Sequence, residues 1–401
     1  METTAAFAGL SCTDCGAAFD ARASTADAAT HRCPDCGGIL DPEYDYDAVD
    51  LAREDLQARP FDGLWRYEEL LPLPREAAVT MNEGTTPLVE CPALADELGV
   101  ARLLIKDEGH NPTGSFKDRG ATLAVSAAAE HGASDVALPT AGNAGQAAAA
   151  YAARAGLDAH VFVPSRASFV TKAMINVHGG EMTVVEGRFA DAADAYADAA
   201  ESNDWYSVGS FVTPYRHEGK KTMYYEIAEQ LDWAAPDRIV YPTGGGVGLV
   251  GMYKAARELR RLGFVDELPG MYAAQSAGCA PIVEAVEGGR SRHDPWETPD
   301  TICGGIEIPD PGASPLIVDA IAESDGGAVA TPDEAILDAA ITVAQHAGIE
   351  MGATCAAAAS GAWELAERGE FDAGDTVVLV NTAAGNKEDD VLRSHLMGRG
   401  V

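Results

Sequence analysis

Basic residues are scarce in this chain, and lysine is the rarest charged type. The 401 residues include 28 Lys and Arg against 63 Asp and Glu, which gives a formal net charge of −35 at pH 7, and lysine occurs seven times. This negative charge repels nucleic-acid phosphates and anionic membrane surfaces, so a nucleic-acid partner is disfavoured. Because the acids are spread over many segments, the sequence predicts a halophilic acidic surface suited to high salt.

Long apolar runs are also missing. No stretch of membrane-spanning length is free of charge, and Met1-Glu2-Thr3 lacks the basic start of a secretory signal. The sequence therefore predicts a cytoplasmic protein with no membrane partner. With 47% hydrophobic and 23% charged residues, the chain is expected to form about two or three units that each bury a core.

Half of the eight cysteines are clustered near the N-terminus. Cys12 and Cys15 are two residues apart, as are Cys33 and Cys36, with seventeen residues between the two pairs. Paired thiolates at this spacing are typical of a tetrahedral zinc site, and four sulfur ligands leave no open position for catalysis. For a reducing compartment, the sequence predicts a structural zinc ribbon over residues 1–45, with four unligated thiols as the alternative.

Residues 46–80 lack a regular apolar pattern and are predicted to form a linker and N-terminal segment, with a short helix over 49–57. Beyond them, segments of strand length alternate with segments of helix length. The predicted strands are 103–105, 136–139, 160–163, 183–185, 205–208, 238–241, 272–275 and 376–380. The predicted helices include 143–155, 190–200, 224–231, 247–262 and one that starts at a Thr331-Pro332 cap and runs to 346. This alternation predicts right-handed βαβ crossovers and parallel, doubly wound α/β sheets.

One lysine lies in an electrostatically unusual place. The segment 111–120 contains a proline and a glycine and is followed by good helix formers up to 130, so Lys117 is predicted to lie at the start of a helix. A cation there opposes the helix dipole, which favours the neutral amine that can react with an aldehyde. The alternative is a surface lysine that pairs with Asp118.

Three further loops follow predicted strands and are expected to precede helices, which is where doubly wound sheets bind ligands. They are 140–143 (TAGN), 243–248 (TGGGVG) and 381–385 (NTAAG). The glycine run lets backbone N–H groups approach a phosphate, and the absence of a following lysine argues against a P-loop and ATP.

Other interpretations of these loops remain open. Residues 246–251 match the dinucleotide pattern G-x-G-x-x-G, so a nicotinamide site is the main competing hypothesis. The acids at the expected distance, Asp266 and Glu267, precede the next strand and would lie at the wrong edge of the sheet. The glycines could also serve helix packing alone, and Asn143 taken alone is compatible with a helix N-cap.

Taken together, the motifs resemble those of the fold-type II pyridoxal-phosphate enzymes, and among them the threonine synthase family. They are 83–88 (EGTTPL), 113–120 (TGSFKDRG), 140–143 (TAGN), 215–222 (YRHEGKKT), 243–248 (TGGGVG) and 275–282 (QSAGCAPI). The similarity extends from about residue 81 to the C-terminus, and an N-terminal zinc ribbon occurs in some relatives. It implies the tryptophan synthase beta-like fold, with a catalytic domain over 81–401 and a smaller subdomain inserted at about 125–213.

The resemblance also implies roles for residues at matching positions. Lys117 would bind pyridoxal 5′-phosphate covalently and act as the catalytic proton shuttle, while Asn143 would contact the ring hydroxyl and Thr382 the pyridine nitrogen. The cofactor phosphate would lie on the backbone of the glycine loop. The other cofactor contacts would be Phe116, Gly244, Gly245, Gly246, Val247 and Gly248, and the substrate contacts would be Lys172, Arg216 and Thr140.

The reaction implied by the resemblance is conversion of O-phospho-L-homoserine and water to L-threonine and phosphate by a lyase. A serine/threonine dehydratase or a β-replacement synthase, such as a cysteine or cysteate synthase, is the alternative within the same fold and needs no second phosphate site. A catalytically inactive binding protein is the alternative of another class. Thr213 and Met351 depart from the usual family pattern on the substrate side. The assembly is left open, and a homodimer is compatible with the sequence.

Overall fold

The computed structural model describes residues 1–20 and 31–398, and the chain divides into two units. The first unit comprises Met1–Thr85 and Lys117–Thr222, and the second comprises Thr86–Phe116 and Met223–Val401. Residues 21–30 of the predicted zinc ribbon and residues 399–401 of the predicted catalytic domain lie outside the described residues.

Strands and helices alternate along most of the chain. The strands are β1 (Phe7–Cys12), β2 (Ala18–Phe19), β3 (Leu40–Tyr44), β4 (Leu88–Glu90), β5 (Arg102–Asp107), β6 (Asp135–Pro139), β7 (Asp158–Pro164), β8 (Glu181–Val185), β9 (Tyr206–Ser207), β10 (Arg238–Pro242), β11 (Gly270–Ser276), β12 (Gly327–Thr331) and β13 (Thr376–Asn381). The α-helices are α1 (Arg53–Ala58), α2 (Pro92–Leu98), α3 (Lys117–Glu130), α4 (Asn143–Ala155), α5 (Phe169–Val177), α6 (Phe189–Ala200), α7 (Tyr215–Gln230), α8 (Val247–Arg261), α9 (Pro281–Glu287), α10 (Ser314–Glu323), α11 (Asp333–Ala347), α12 (Ala353–Glu367) and α13 (Asp389–Gly398).

Two sheets lie in the described part of the first unit. The N-terminal one is antiparallel in the order β2-β1-β3, and the larger one is parallel in the order β8-β7-β6-β9. Val136 and Leu138 of β6 and Val161 and Val163 of β7 are buried in the core between this parallel sheet and helices α3 and α4. The parallel strands and their crossover helices confirm the predicted α/β class for this unit.

Apolar side chains tie the predicted linker to the rest of the first unit. Leu64, Trp65 and Leu71 are buried in one cluster with Leu10 of β1 and Leu123 of α3. Burial of a side chain of this size contributes about 1.5–3 kcal/mol. The N-terminal sheet and the segment after it therefore share a hydrophobic core with the parallel-sheet region.

The second unit is built on one six-stranded sheet in the order β12-β11-β10-β13-β5-β4. All neighbours are parallel except the edge strand β4, which is antiparallel to β5. Central residues such as Ile105, Val240 and Leu379 are buried. Strands covered on both faces are apolar along their whole length, which explains why β10 and β13 were recognisable from sequence.

A buried ion pair lies within the second unit. Lys106 Nζ is 2.8 Å from Glu226 Oε2, and both side chains are fully buried. Lys106 also donates to the Thr86 carbonyl and to Gln230 Oε1, each at 2.8 Å. These hydrogen bonds compensate for the loss of hydration that a buried charge incurs.

Some element boundaries differ from the predictions. The short helix α1 begins at Arg53 and not at 49, because the Asp55 carboxylate accepts the Ala52 N–H and fixes the start there. Helix α11 has Pro332 as its N-cap and not Thr331, which is the last residue of β12. The strand β12 itself was not predicted, because its glycine and alanine residues give little strand signal.

Helix α7 begins at Tyr215, well before the predicted start at 224. Its first two turns are buried, yet they are made of polar and charged residues: Arg216, His217, Glu218, Lys220 and Lys221. Apolar residues therefore do not recur every 3.6 residues in these turns, so the sequence pattern does not predict a helix there. By contrast, α4 spans the predicted residues 143–155. In the described part of the chain, no helix is long and apolar enough to cross a membrane.

Candidate active site

Lys117 is the first residue of α3, as predicted, and its side chain is half-buried. The residues before it are held within the second unit, where the Phe116 N–H donates to the Thr382 carbonyl at 2.9 Å and Ser115 forms a β-bridge with Ala383. The first N–H groups of a helix carry partial positive charge. The backbone at Lys117 therefore carries partial positive charge.

The predicted glycine loop connects a parallel strand with a helix. β10 ends at Pro242, and α8 begins at Val247. Gly246 has φ of 72°, a conformation that side chains rarely adopt, and a Cβ built on Gly245 would meet nothing within 4 Å. Since the first N–H groups of α8 have no partners within the helix, an anion can approach this backbone.

Two aromatic rings lie behind the glycine loop in the second unit. A Cβ at Gly248 would clash with the Tyr241 hydroxyl, so glycine permits the close approach of α8 to β10. Phe116 packs edge-on against the same tyrosine, with 6.1 Å between ring centroids. Phe116, the residue before Lys117, therefore contacts Tyr241, the tyrosine that packs against the glycine loop.

Thr382 follows β13, and its hydroxyl lies 3.3 Å from Cys355 Sγ on α12. Burial raises the pKa of the Cys355 thiol to about 12, so this group is uncharged at neutral pH. Cys355 is not one of the four clustered cysteines of the N-terminal segment. The two residues are 27 positions apart, and no local pattern connects them.

Asn143 opens α4, and its Oδ1 is buried with no hydrogen-bond partner among residues 1–20 and 31–398. Thr140 serves the start of this helix instead, because its Oγ1 accepts the N–H of Gly142 at 3.0 Å and that of Gly145 at 3.2 Å. Asn143 therefore does not act as a cap, and its oxygen is available to a ligand that donates a hydrogen bond.

Lys172 lies in the first half of α5, just beyond the carboxyl end of β7. Its ammonium donates to the Ser165 carbonyl at 2.7 Å. The same helix touches the Asn143 loop, because a Cβ at Gly142 would lie 2.7 Å from Thr171 Oγ1. Lys172 and Asn143 therefore belong to one edge of the four-stranded sheet.

Arg216 is buried at the start of α7, with 1% of its surface exposed. Nη1 donates to the Val208 carbonyl beyond β9, while Nε and Nη2 have no hydrogen-bond partner in the described part of the chain. Burial lowers the pKa of this guanidinium to about 10, which leaves it positively charged at neutral pH. A buried cation with two unpaired N–H-bearing nitrogens is suited to bind an anion.

The structure places the candidate residues in two sets. The set in the first unit lies near the carboxyl ends of parallel strands and consists of Thr140, Asn143, Lys172 and Arg216. The helix that begins with Lys117 contacts Arg216 at Gly120. In the second unit, the glycine loop, Phe116 and Thr382 lie near the carboxyl ends of β10 and β13. The carboxyl edge of a parallel sheet is the usual ligand position in doubly wound folds.

The four clustered cysteines come together in space. Cys12 Sγ is 3.5 Å from Cys36 Sγ, Cys15 Sγ is 3.7 Å from Cys33 Sγ, and all four sulfurs lie within 4.8 Å of one another. A tetrahedral zinc ion with bonds of about 2.3 Å requires sulfurs about 3.8 Å apart. The cysteine geometry therefore fits a zinc ion.

The fold and these groups define an enzyme that uses pyridoxal phosphate. Residues 79–383 match the family described as "Pyridoxal-phosphate dependent enzyme", and the chain belongs to this family. Threonine synthase of Methanosarcina acetivorans is 38% identical over 374 residues, which cover 93% of this chain and 90% of that protein. Threonine synthase of Methanocaldococcus jannaschii is 37% identical over 383 residues, with 94% and 93% covered.

Solved structures show the same fold. A fungal L-serine ammonia-lyase from Rhizomucor miehei gives a TM-score of 0.68 at 20% identity, and the match covers 80% of this chain and 99% of that one. Threonine deaminase isoform 2 from Solanum lycopersicum gives 0.65 at 20% identity, with 85% and 91% covered. These likenesses confirm the predicted α/β fold of the pyridoxal-phosphate family.

Taken unit by unit, the candidate residues fit separate groups of pyridoxal phosphate. The unpaired, buried Oδ1 of Asn143 suits the ring hydroxyl, and the open backbone at Gly245 suits the phosphate. Thr382 offers a neutral hydroxyl beside an uncharged thiol, which suits a pyridine nitrogen that stays unprotonated. The half-buried Lys117 amine at a helix start suits the aldehyde.

Proposed function

We propose that this chain converts O-phospho-L-homoserine and water to L-threonine and phosphate. Arg216 carries the proposal, because its buried guanidinium offers two unpaired nitrogens to an anion in the unit that contains Lys117. A substrate without phosphate, such as serine, would leave this buried charge uncompensated. Similarity to enzymes named threonine synthase over 93% and 94% of the chain supports the same substrate.

Each candidate residue has a role in this proposal. Bound pyridoxal phosphate supplies the electron sink for carbanion chemistry next to the substrate amino group. The backbone of residues 244–248 holds the cofactor phosphate, with Phe116 packed behind it, while Asn143 and Thr382 orient the ring. A neutral partner such as the Thr382 hydroxyl suits a nitrogen that carries no proton.

Lys117 and the two basic residues handle the substrate. The Lys117 amine takes the proton from Cα, passes it on, and then takes one from Cβ of the substrate. Lys172 and Arg216 hold the phosphate that leaves from Cγ, and the proton from Cβ is given to Cγ. Water then supplies the hydroxyl at Cβ and its remaining proton to the released phosphate, and a proton returns to Cα. Thr140 lies on the loop that also carries Asn143 and is assigned to the substrate side.

Steady-state kinetics with O-phospho-L-homoserine test the proposal. Threonine and phosphate should appear in equal amounts, and a visible-edge absorbance band of the purified protein should disappear on borohydride reduction. Phosphate release without threonine would overturn the proposal, and turnover of serine or threonine alone would overturn it in favour of the dehydratase or β-replacement alternative. Absence of the band would favour a catalytically inactive binding protein.

The domain division remains a prediction from sequence. We propose residues 1–45 as the zinc ribbon, 46–80 as the linker and N-terminal segment, and 81–401 as the catalytic domain with a smaller subdomain at about 125–213. The family match over 79–383 supports the catalytic boundaries. Location in the cytoplasm and a homodimeric assembly also remain predictions.

We further propose that Cys12, Cys15, Cys33 and Cys36 bind a structural zinc ion. The two halves of the site share one turn geometry: the Gly16 N–H donates to the Cys12 carbonyl at 2.9 Å, and the Gly37 N–H donates to the Cys33 carbonyl at 2.8 Å. Both glycines have positive φ, 73° and 75°. Matching turns of this kind direct two pairs of thiolates to one point.

Loss of this zinc is expected to destabilise the first unit. Cys15→Ser should abolish zinc binding and lower the free energy of unfolding by at least ~3 kcal/mol, because metal binding is coupled to folding of a small segment. Zinc analysis and thermal denaturation measure both effects. Cys279→Ala is the control and should keep its zinc, since Cys279 is remote from the cluster in sequence and absent from it in space. Equal zinc content in the two variants would contradict the proposal.

The acidic surface should make stability depend on salt. On α6, Asp191, Asp194 and Asp198 are exposed and spaced so that like charges repel along one side of the helix. Raising KCl from about 0.1 M to about 2 M should raise the melting temperature by ~10 °C, because the Debye length falls from about 10 Å to below 3 Å. Changing the three aspartates to asparagine should reduce this dependence, and equal melting temperatures at both salt concentrations would contradict a halophilic surface.

A further inference from the structure

The last strand of the N-terminal sheet contacts the first turn of α7. Asp41 Oδ1 on β3 lies 2.7 Å from His217 Nε2, and the Tyr44 hydroxyl donates to Glu218 Oε2 at 2.5 Å. His217 and Glu218 are buried, and Asp41 retains 28% of its side-chain exposure. The segment that follows the cysteine cluster therefore attaches to the helix that carries Arg216.

The Tyr44 contact is part of a closed, buried network. Lys221 Nζ is 2.7 Å from Glu218 Oε2, donates to the Leu70 carbonyl at 2.7 Å, and lies 4.1 Å from the centre of the Tyr44 ring. Asp41, His217 and Glu218 lie close enough together to share a cation. The Lys221 ammonium already supplies positive charge to Glu218, which makes a metal ion there unnecessary.

Asp41 is the main polar contact of the His217 ring. Nδ1 of His217 is buried without a hydrogen-bond partner in the described residues, so the bond at Nε2 sets the orientation of the ring. The ring also stacks on Phe211, with centroids 5.5 Å apart and planes 26° apart. Phe211 belongs to the loop between β9 and α7, so this contact holds that loop against the helix.

The first turn of α7, which these contacts hold in place, carries Arg216. The Arg216 guanidinium donates to the Val208 carbonyl at the other end of the same loop. Helix α7 also packs tightly on α3, since a Cβ at Gly219 would clash with the Arg119 carbonyl and one at Gly120 would lie 2.8 Å from Arg216 Cγ. With so little free space, a shift of the first turn of α7 would displace the guanidinium and press on the helix that begins with Lys117.

We propose that Asp41 and Tyr44 of the ribbon are positioning residues for the substrate-phosphate site, acting through the first turn of α7 on Arg216. The inference rests on the proposed function insofar as it takes Arg216 to bind the substrate phosphate. It assigns the ribbon a role in the reaction besides zinc binding. The ribbon sets the geometry of a buried guanidinium whose two free nitrogens must meet an anion.

The test compares Asp41→Ala and Tyr44→Phe with Glu43→Gln in the holoenzyme. Glu43 lies on the same strand but is exposed and bonded only to Ser11 among the described contacts, which makes it a matched control. Asp41→Ala should raise both KM for O-phospho-L-homoserine and Kd for inorganic phosphate about tenfold. Tyr44→Phe should raise them about threefold, as expected for loss of one hydrogen bond. The kcat, cofactor absorbance and zinc content should change little, and Glu43→Gln should match wild type.

A double variant separates positioning from general destabilisation. In an Arg216→Ala background, Asp41→Ala should raise KM by less than about twofold, because the group it positions is gone. An undiminished effect in that background, or kinetics of Asp41→Ala equal to those of Glu43→Gln, would overturn the inference. If Asp41→Ala fails to fold, Tyr44→Phe, which removes one hydroxyl, provides the same comparison.

If the proposed function itself were wrong, the kinetic results would differ from those that overturn the inference. Wild-type enzyme would then not turn over O-phospho-L-homoserine, or Arg216→Ala would leave KM unchanged. Amide hydrogen exchange over residues 215–222 tests the ribbon contact without substrate. Faster exchange in Asp41→Ala than in Glu43→Gln is expected, and equal exchange would overturn the inference on its own.

Discussion

Replacement of Lys117 by alanine is expected to lower kcat by about a thousandfold or more. The amine at the start of α3 is the group proposed both to bind the cofactor aldehyde and to move the substrate protons. The absorbance band that borohydride removes from wild-type protein should be lost as well. Absorbance spectra and initial rates measured on the same preparation check both expectations.

Lys254→Ala is the control for this experiment. Lys254 lies on α8 outside the proposed site and is partly buried, like Lys117. This variant should keep the wild-type spectrum and rate. A Lys117→Ala protein that retains the band and its activity would show that another amine binds the cofactor and would reject the central assignment.

Replacement of Arg216 by alanine is expected to raise KM for O-phospho-L-homoserine about a hundredfold, equivalent to ~2.7 kcal/mol. The buried guanidinium has two nitrogens without protein partners, so a bound phosphate would supply hydrogen bonds that the protein does not. Arg216→Lys should give an intermediate KM, because lysine keeps the charge but not the planar fork.

Arg257→Ala serves as the matched control for Arg216. Arg257 forms an exposed ion pair with Glu323 at 3.4 Å, and such pairs contribute little. Its KM should equal that of wild type. If Arg216→Ala also kept a wild-type KM while serine or threonine became good substrates, the phosphate would not be recognised at this residue and the dehydratase alternative would stand.

Much of the fold follows from local patterns in the sequence. Strands buried on both faces, such as β10 and β13, are continuous apolar runs, and α4 has good helix formers between two glycines. The helix start at Lys117 follows from the proline and glycine in the loop before it. These features can be predicted because the residues that determine each of them are neighbours in the sequence.

Other features depend on contacts between distant residues. Asp41 and His217 are 176 positions apart, and neither stands in an amphipathic pattern that predicts the pair. The first turns of α7 were missed because buried charges replace the usual apolar period. The thiol beside Thr382 was missed because an isolated cysteine in an alanine-rich helix carries no sequence signal of a partner.

The burial of lysine side chains has a practical consequence for chemical labelling. Four of the seven lysines are buried: Lys106, Lys220, Lys221 and Lys387. Amine-directed reagents therefore have few accessible targets on this protein. Reduction of the holoenzyme with borohydride, followed by digestion and mass spectrometry, should yield a single modified peptide that contains Lys117, and the sparse lysines make its assignment unambiguous.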